Sequence, residues 1–200
     1  MIDMIPAWVN GTLTPVEKLD AHRKGLRHVA VSVFVMAGDD VLIQRRAAGK
    51  YHTPGLWANT CCTHPAWGEA TEACAIRRLR EELGITGVTP AFRDRVEYRA
   101  DVGRGMTEHE VVDIFVAEAA RDLAIVPDPA EVAEIIELPV TTLADPAARG
   151  NHVITRRSLR FSAPTGAMTL RMRSTSLAPW RGIRRPPRSL YWTSPSAAST

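Results

Sequence analysis

The chain has 200 residues, 45% of them apolar, with 25 Lys/Arg against 22 Asp/Glu. That suits one globular domain with a full core, and its longest apolar run, Val29 to Ala37 broken by Ser32, is too short to span a bilayer. The net +3 is unevenly spread: residues 1–145 hold every acidic residue and net −7, whereas 146–200 hold ten Arg, no Lys and no acid.

Met1-Ile2-Asp3-Met4 lacks a basic segment leading into an apolar one, so no secretory signal is read. Three cysteines, Cys61, Cys62 and Cys74, make neither a disulfide framework nor a paired zinc motif, and they suit a reducing cytoplasm. His28 to Met36 is rich in β-branched residues, and Gly38-Asp39-Asp40 turns it into Val41 to Arg46, a predicted hairpin. Lys50 to Pro54 reads as a loop and Leu56 to Thr63 as extended. Residues 69–83 contain no Gly or Pro, with Ala73, Ile76, Leu79 and Leu83 at helical spacing and Gly84 as the stop. Val96 to Val102 and Glu110 to Ala117 are further strands, Asp128-Pro129 opens a short helix-like stretch, and Glu134 to Val140 is a last strand. The pattern is mixed α/β (α+β): a mixed sheet flanked by helices over residues 1–145. Residues 146–200, rich in Arg, Ser and Pro, form a separate tail, disordered by composition.

Two short motifs carry the chemistry. In Cys62-Thr63-His64 and Glu108-His109-Glu110 the functional residues stand two apart, so on extended backbone each pair shares a face. A thiol, an imidazole and two carboxylates facing one pocket make a metal site with a sulfur beside it. His109 falls on the opposite strand face, Cys61 and Cys74 read as core, and His52 and His152 are unassigned.

Glu69 followed by Arg77-Arg78-Leu79-Arg80-Glu81-Glu82-Leu83-Gly84-Ile85 resembles the Nudix box, a loop–helix–loop that holds divalent cations against a diphosphate. Its usual first Gly is Thr63 and one box Glu is Arg78. Read alone, the helix could equally be a solvated charged face with pairs such as Arg78–Glu82. With Asn59-Thr60-Cys61-Cys62-Thr63-His64-Pro65 before it and Glu108-His109-Glu110-Val111 after it, the chain from about Pro6 to about Asp128 resembles type I isopentenyl-diphosphate isomerases.

That resemblance implies a Nudix fold and an isomerase of isoprenoid biosynthesis, moving the double bond of isopentenyl diphosphate to give dimethylallyl diphosphate. It implies Cys62 and Glu110 as the proton-transfer pair, assisted by Tyr98. His22, His28, His64, Glu108 and Glu110 would hold one divalent ion (Mn²⁺, Zn²⁺ or Mg²⁺), although His22 and His28 stand one residue closer than the family spacing. Glu82 and the Cys62 carbonyl would hold a Mg²⁺ arriving with the diphosphate, which Lys18, Arg46, Lys50 and Arg78 would contact.

The likeness stops in the tail. The family's pocket Trp has no counterpart in Arg160-Phe161-Ser162-Ala163-Pro164-Thr165, Trp180 is a late substitute, and no aromatic stands at Glu134 to Leu138. The abrupt loss of Lys, Asp and Glu points to a changed reading frame after about residue 130. The competing readings are a Nudix diphosphohydrolase and an inactive paralogue with a basic, anion-binding tail. No membrane or nucleic-acid partner is expected, and the oligomeric state is open.

Overall fold

The computed structural model describes residues 3–50 and 53–144, and everything below concerns these. The tail, with Phe161, Pro164 and Trp180, and also His52 and His152, lies outside the described residues.

The described chain opens with a hairpin, β1 (Met4–Val9) and β2 (Thr12–Glu17), which its sequence pattern does not announce. Asn10-Gly11 is its two-residue turn, with φ of 51° and 81°, the left-handed pair that such turns need. Pro6 and Pro15, paired across the ladder, hide the strand signal; Pro15 is tolerated because β2 lies at the sheet edge, and Pro6 because β1 is registered with β3 only at Ala7. Glu17 then caps α1 (Lys18–Arg23), accepting from the Leu19 and Asp20 amides at 3.0 and 2.8 Å. Arg27 fixes the hairpin from outside, 4.0 Å over the Trp8 ring and forked onto Glu97.

The predicted hairpin is present as β3 (Arg27–Ala37) and β4 (Asp40–Arg46). The extended run at 56–63 is two short strands, β5 (Trp57–Asn59) and β6 (Cys61–Thr63), pairing with β4 and β3 respectively. Thr60 is the break between them: its hydroxyl donates to the Leu42 carbonyl at 2.6 Å and accepts from the Val35 amide at 2.8 Å. The helix α2 (Thr71–Leu83) ends at Gly84, φ 65°, where a Cβ would meet the Val126 carbonyl at 2.9 Å.

β7 (Ala91–Gly103) and β8 (Met106–Glu118) form a longer hairpin than their patterns implied. β7 pairs only with β8 and is exposed over most of its first half, so it shows little alternation there. β8 runs parallel to β3 through ten registered pairs, setting His28 beside Glu110. The stretch after Asp128 is a single turn and not a helix, closed by bonds from the Glu131 and Val132 amides to the Asp128 carbonyl. The chain then enters β9 (Val132–Pro139), paired with β4, and α3 (Val140–Ala144).

One sheet face buries Phe34, Met36, Ile43, Val112 and Leu143. The other packs Val31, Val33 and Phe115 on Cys74, Leu79 and Leu83 of α2, with Cys61 among them. Cys61 and Cys62 thus face opposite ways, and Cys61 and Cys74 are fully buried core residues. Burial pushes the Cys61 thiol well up and the Cys74 thiol to about 12, which keeps both inert. No described helix is long and apolar enough to cross a membrane.

Candidate active site

One ligating atom from each of His22, His28, His64 and Glu110 lies within 4.8 Å of the others, all four residues buried. They come from the last turn of α1, the start of β3, the segment after β6, and β8. The rings are close, with centroids 4.7 to 5.1 Å apart. His22 Nδ1 stands 2.7 Å from the Lys18 carbonyl and His28 Nδ1 2.7 Å from that of Leu26. A carbonyl can only accept, so each Nδ1 carries a proton, and Nε2 is the nitrogen left for a ligand.

His64 Nε2 is 3.1 Å from Glu110 Oε1, whereas His28 Nε2 is 3.6 Å from that oxygen, too far for a hydrogen bond. His28 Nε2 is buried and makes no hydrogen bond among the described residues. Burial holds the His64 ring well below its usual pKa despite Glu110, so it is neutral, the form that ligates. Three imidazoles and one carboxylate, gathered out of water with one potential ligand atom each, fit a divalent cation and would be costly to bury otherwise.

Glu108 is not within that group of four. It sits one bond away: Tyr98 Oη is 2.7 Å from both Glu108 Oε2 and Glu110 Oε2. A hydroxyl has one proton to give, so the two carboxylates share it. His109 points the other way, to Glu97 at 3.3 Å. Cys62, paired in register with Ser32, donates its thiol to Asn59 Oδ1 and lies 3.9 Å from Ser32 Oγ. His28 and Ser32 are four residues apart on β3, on one sheet face, so Cys62 and Glu110 flank that strand from opposite sides.

A second cluster is built on α2. Arg78 forks onto Glu82 Oε1 at 2.7 and 3.1 Å, reaches Glu81 at 3.0 Å and faces Glu131 at 3.6 Å. Lys50 Nζ is paired with Glu131 Oε2. Lys18, held below its usual pKa first by burial and then by the charges of Lys50 and Arg78, belongs to the same cationic group. Glu131 is the anion among them; although burial opposes it, Lys50 and Arg78 keep its carboxyl below the usual range. Arg46 stands at a bulge in the β4–β9 ladder, where backbone geometry can redirect a side chain.

Buried Glu82 also accepts from Gln44 Nε2 at 3.1 Å. Gln44, Asn59, Ser32 and Glu131 were not assigned roles from sequence. Gln44 is the one amide in β4, following the apolar run Val41-Leu42-Ile43, and Asn59 opens the stretch that runs through Cys62 and His64 to Pro65. Glu131 carried no local signal.

A NUDIX domain model matches residues 26–158. Isopentenyl-diphosphate Delta-isomerase of Cereibacter sphaeroides is 72% identical over 144 residues, covering 72% of this chain and 81% of the relative. That of Dinoroseobacter shibae is 68% identical over 135 residues, covering 68% and 77%. The chain belongs to the isopentenyl-diphosphate Delta-isomerase family, within the NUDIX domain. Among solved structures, a MutT NUDIX hydrolase from Burkholderia pseudomallei superposes with a TM-score of 0.52 at 20% identity, covering 68% of this chain and 95% of that one. A Deinococcus radiodurans protein gives 0.61 at 14% identity, covering 80% and 96%. At such identities the likeness speaks to fold, and it makes the fold Nudix: a mixed sheet with few helices. The family's divalent-metal chemistry agrees with the His/Glu group in kind, whatever the ion.

Proposed function

We propose that this chain interconverts isopentenyl and dimethylallyl diphosphate through Cys62 and Glu110, acting from opposite sides of the substrate. The observation that carries the reading is the flanking of β3 by the Cys62 thiol on one side and by Glu110, with its buried imidazoles, on the other. One group adds a proton to the terminal carbon of the double bond, leaving a tertiary carbocation. The other removes a proton from the allylic carbon, so the product has the atoms and charge of the substrate. Tyr98, bonded to Glu110, assists proton movement on that side.

His22, His28, His64, Glu108 and Glu110 would hold a divalent ion, and imidazole with carboxylate suits Mn²⁺ or Zn²⁺ as well as Mg²⁺. Such an ion would supply positive charge that lowers the proton affinity of the Glu110 carboxyl. Lys18, Arg46, Lys50 and Arg78 would bind the diphosphate, with Glu82 and the Cys62 carbonyl holding the Mg²⁺ that accompanies it. Residues 1–145 would be the catalytic unit and 146–200 a separate tail, in a cytoplasmic protein with no membrane or nucleic-acid partner.

The experiment is conversion of labelled isopentenyl diphosphate by the full chain with Mg²⁺ and Mn²⁺, beside Cys62→Ala and Glu110→Gln. Each variant should lose on the order of 10²–10⁴ in kcat. Release of phosphate or diphosphate without dimethylallyl diphosphate would overturn the reading in favour of hydrolysis.

A further inference from the structure

Asn59 is fully buried at the end of β5, directly before the break at Thr60. Its Nδ2 lies 2.9 Å from the Val33 carbonyl, 2.8 Å from that of Cys61 and 3.0 Å from Ser32 Oγ. Those two carbonyls decide which way the amide faces. Turned over, it would set its oxygen against two oxygens that can only accept. The amide therefore has one orientation, and its oxygen is delivered to the Cys62 thiol, which donates to it. One side chain thus joins β3, β5 and β6 and has its remaining atom on the sulfur.

A scaffolding role would need only the Nδ2 bonds. The contact of Oδ1 with Cys62 adds something those bonds do not require. A cysteine on a strand otherwise has a choice of staggered χ1 wells, and a hydrogen bond from one of them selects it. We infer that Asn59 is a positioning residue, holding the Cys62 thiol in the rotamer from which it serves the substrate. The inference rests on the assignment of Cys62 above, and it adds a residue that never touches substrate. The four bonds that carry the inference go to Val33, Cys61, Ser32 and Cys62, none of them a cation placed at the diphosphate, so their loss should act on the thiol and not on diphosphate binding.

The test uses the full-length chain, wild type and Asn59→Ala. The Cys62 S–H stretch is assigned as the infrared band lost in Cys62→Ala. In the wild type that band should sit at the frequency of a strongly hydrogen-bonded thiol, and in Asn59→Ala it should shift towards that of a weakly bonded one, with Ser32 Oγ left 3.9 Å away. The kcat for isomerisation should fall about 10- to 100-fold, with KM for isopentenyl diphosphate and inhibition by inorganic diphosphate within about twofold. A free-thiol frequency in the wild type overturns the inference even if the variant does not fold. So does a folded Asn59→Ala with unchanged kcat. A wild type without isomerase activity would instead defeat the functional reading, and the infrared band would still report the Asn59–Cys62 contact.

Discussion

Arg78→Glu restores the carboxylate that the general Nudix box carries, and the structure says what that should cost. In the native chain the Arg78 guanidinium is 2.7 Å from Glu82, 3.0 Å from Glu81 and 3.6 Å from Glu131, and Glu82 is nearly inaccessible to water. The substitution removes all three attractions and adds a fourth negative charge to the group. At an effective dielectric constant of about 20, one unit pair at 4 Å is worth about 4 kcal/mol. Arg78 retains 21% of its side-chain exposure and the new side chain is shorter, so screening and retreat into solvent reduce each repulsion. A net destabilisation of about 2–4 kcal/mol follows, a fall in melting temperature of roughly 6–12 °C for a domain of this size.

Four clustered carboxylates are also a site for a hard cation, so millimolar Mg²⁺ should recover much of that loss in Arg78→Glu and little in Arg78→Gln. Thermal unfolding with and without Mg²⁺ measures both effects, and isomerase assays should show at least a roughly tenfold loss for each variant. An Arg78→Glu protein that melts within about 2 °C of wild type in EDTA would refute the electrostatic reasoning.

Further outcomes follow from the same geometry. Stripping metal with a chelator should lower the melting temperature, and cation at about 100 times its Kd should return about 2.7 kcal/mol, an increment absent in His28→Ala. Tyr98→Phe removes the hydroxyl that bonds both Glu108 and Glu110, so kcat should fall on the order of 10²-fold, visible in steady-state kinetics, with the fold retained by circular dichroism. Glu69 is forked by Arg77, which holds its carboxyl below the ordinary value of 4.5. A depressed pKa gives stability that is complete above the unfolded value and lost as pH falls through the lower folded one. The melting-temperature gap between wild type and Glu69→Gln should therefore be present at neutral pH and close on acidification below 4.5, and a gap independent of pH would contradict it.

Much of the site was legible because its chemistry is local. Cys62 and His64, or Glu108 and Glu110, share a face through the two-residue repeat of a strand alone, and α2 is written by its spacing and by Gly84. The N-terminal hairpin was not legible, since Pro6 and Pro15 suppress the strand pattern that Asn10-Gly11 nonetheless turns. Nor was Glu131, whose meaning depends on Lys50 and Arg78, 81 and 53 positions away in the chain.

The division has a physical basis. Periodicity and short motifs are set by backbone geometry over a few residues, so the sequence by itself determined the central hairpin, the box helix, the thiol and carboxylate pairs and the family they belong to. What only the tertiary structure decided is convergence. The parallel pairing of β3 with β8 brings His28 to Glu110, the capped turn of α1 lowers His22 onto them, and the break at Thr60 turns Asn59 onto Cys62. Long-range pairing depends on burial and on strand register across the whole sheet, and no short stretch of sequence contains that information.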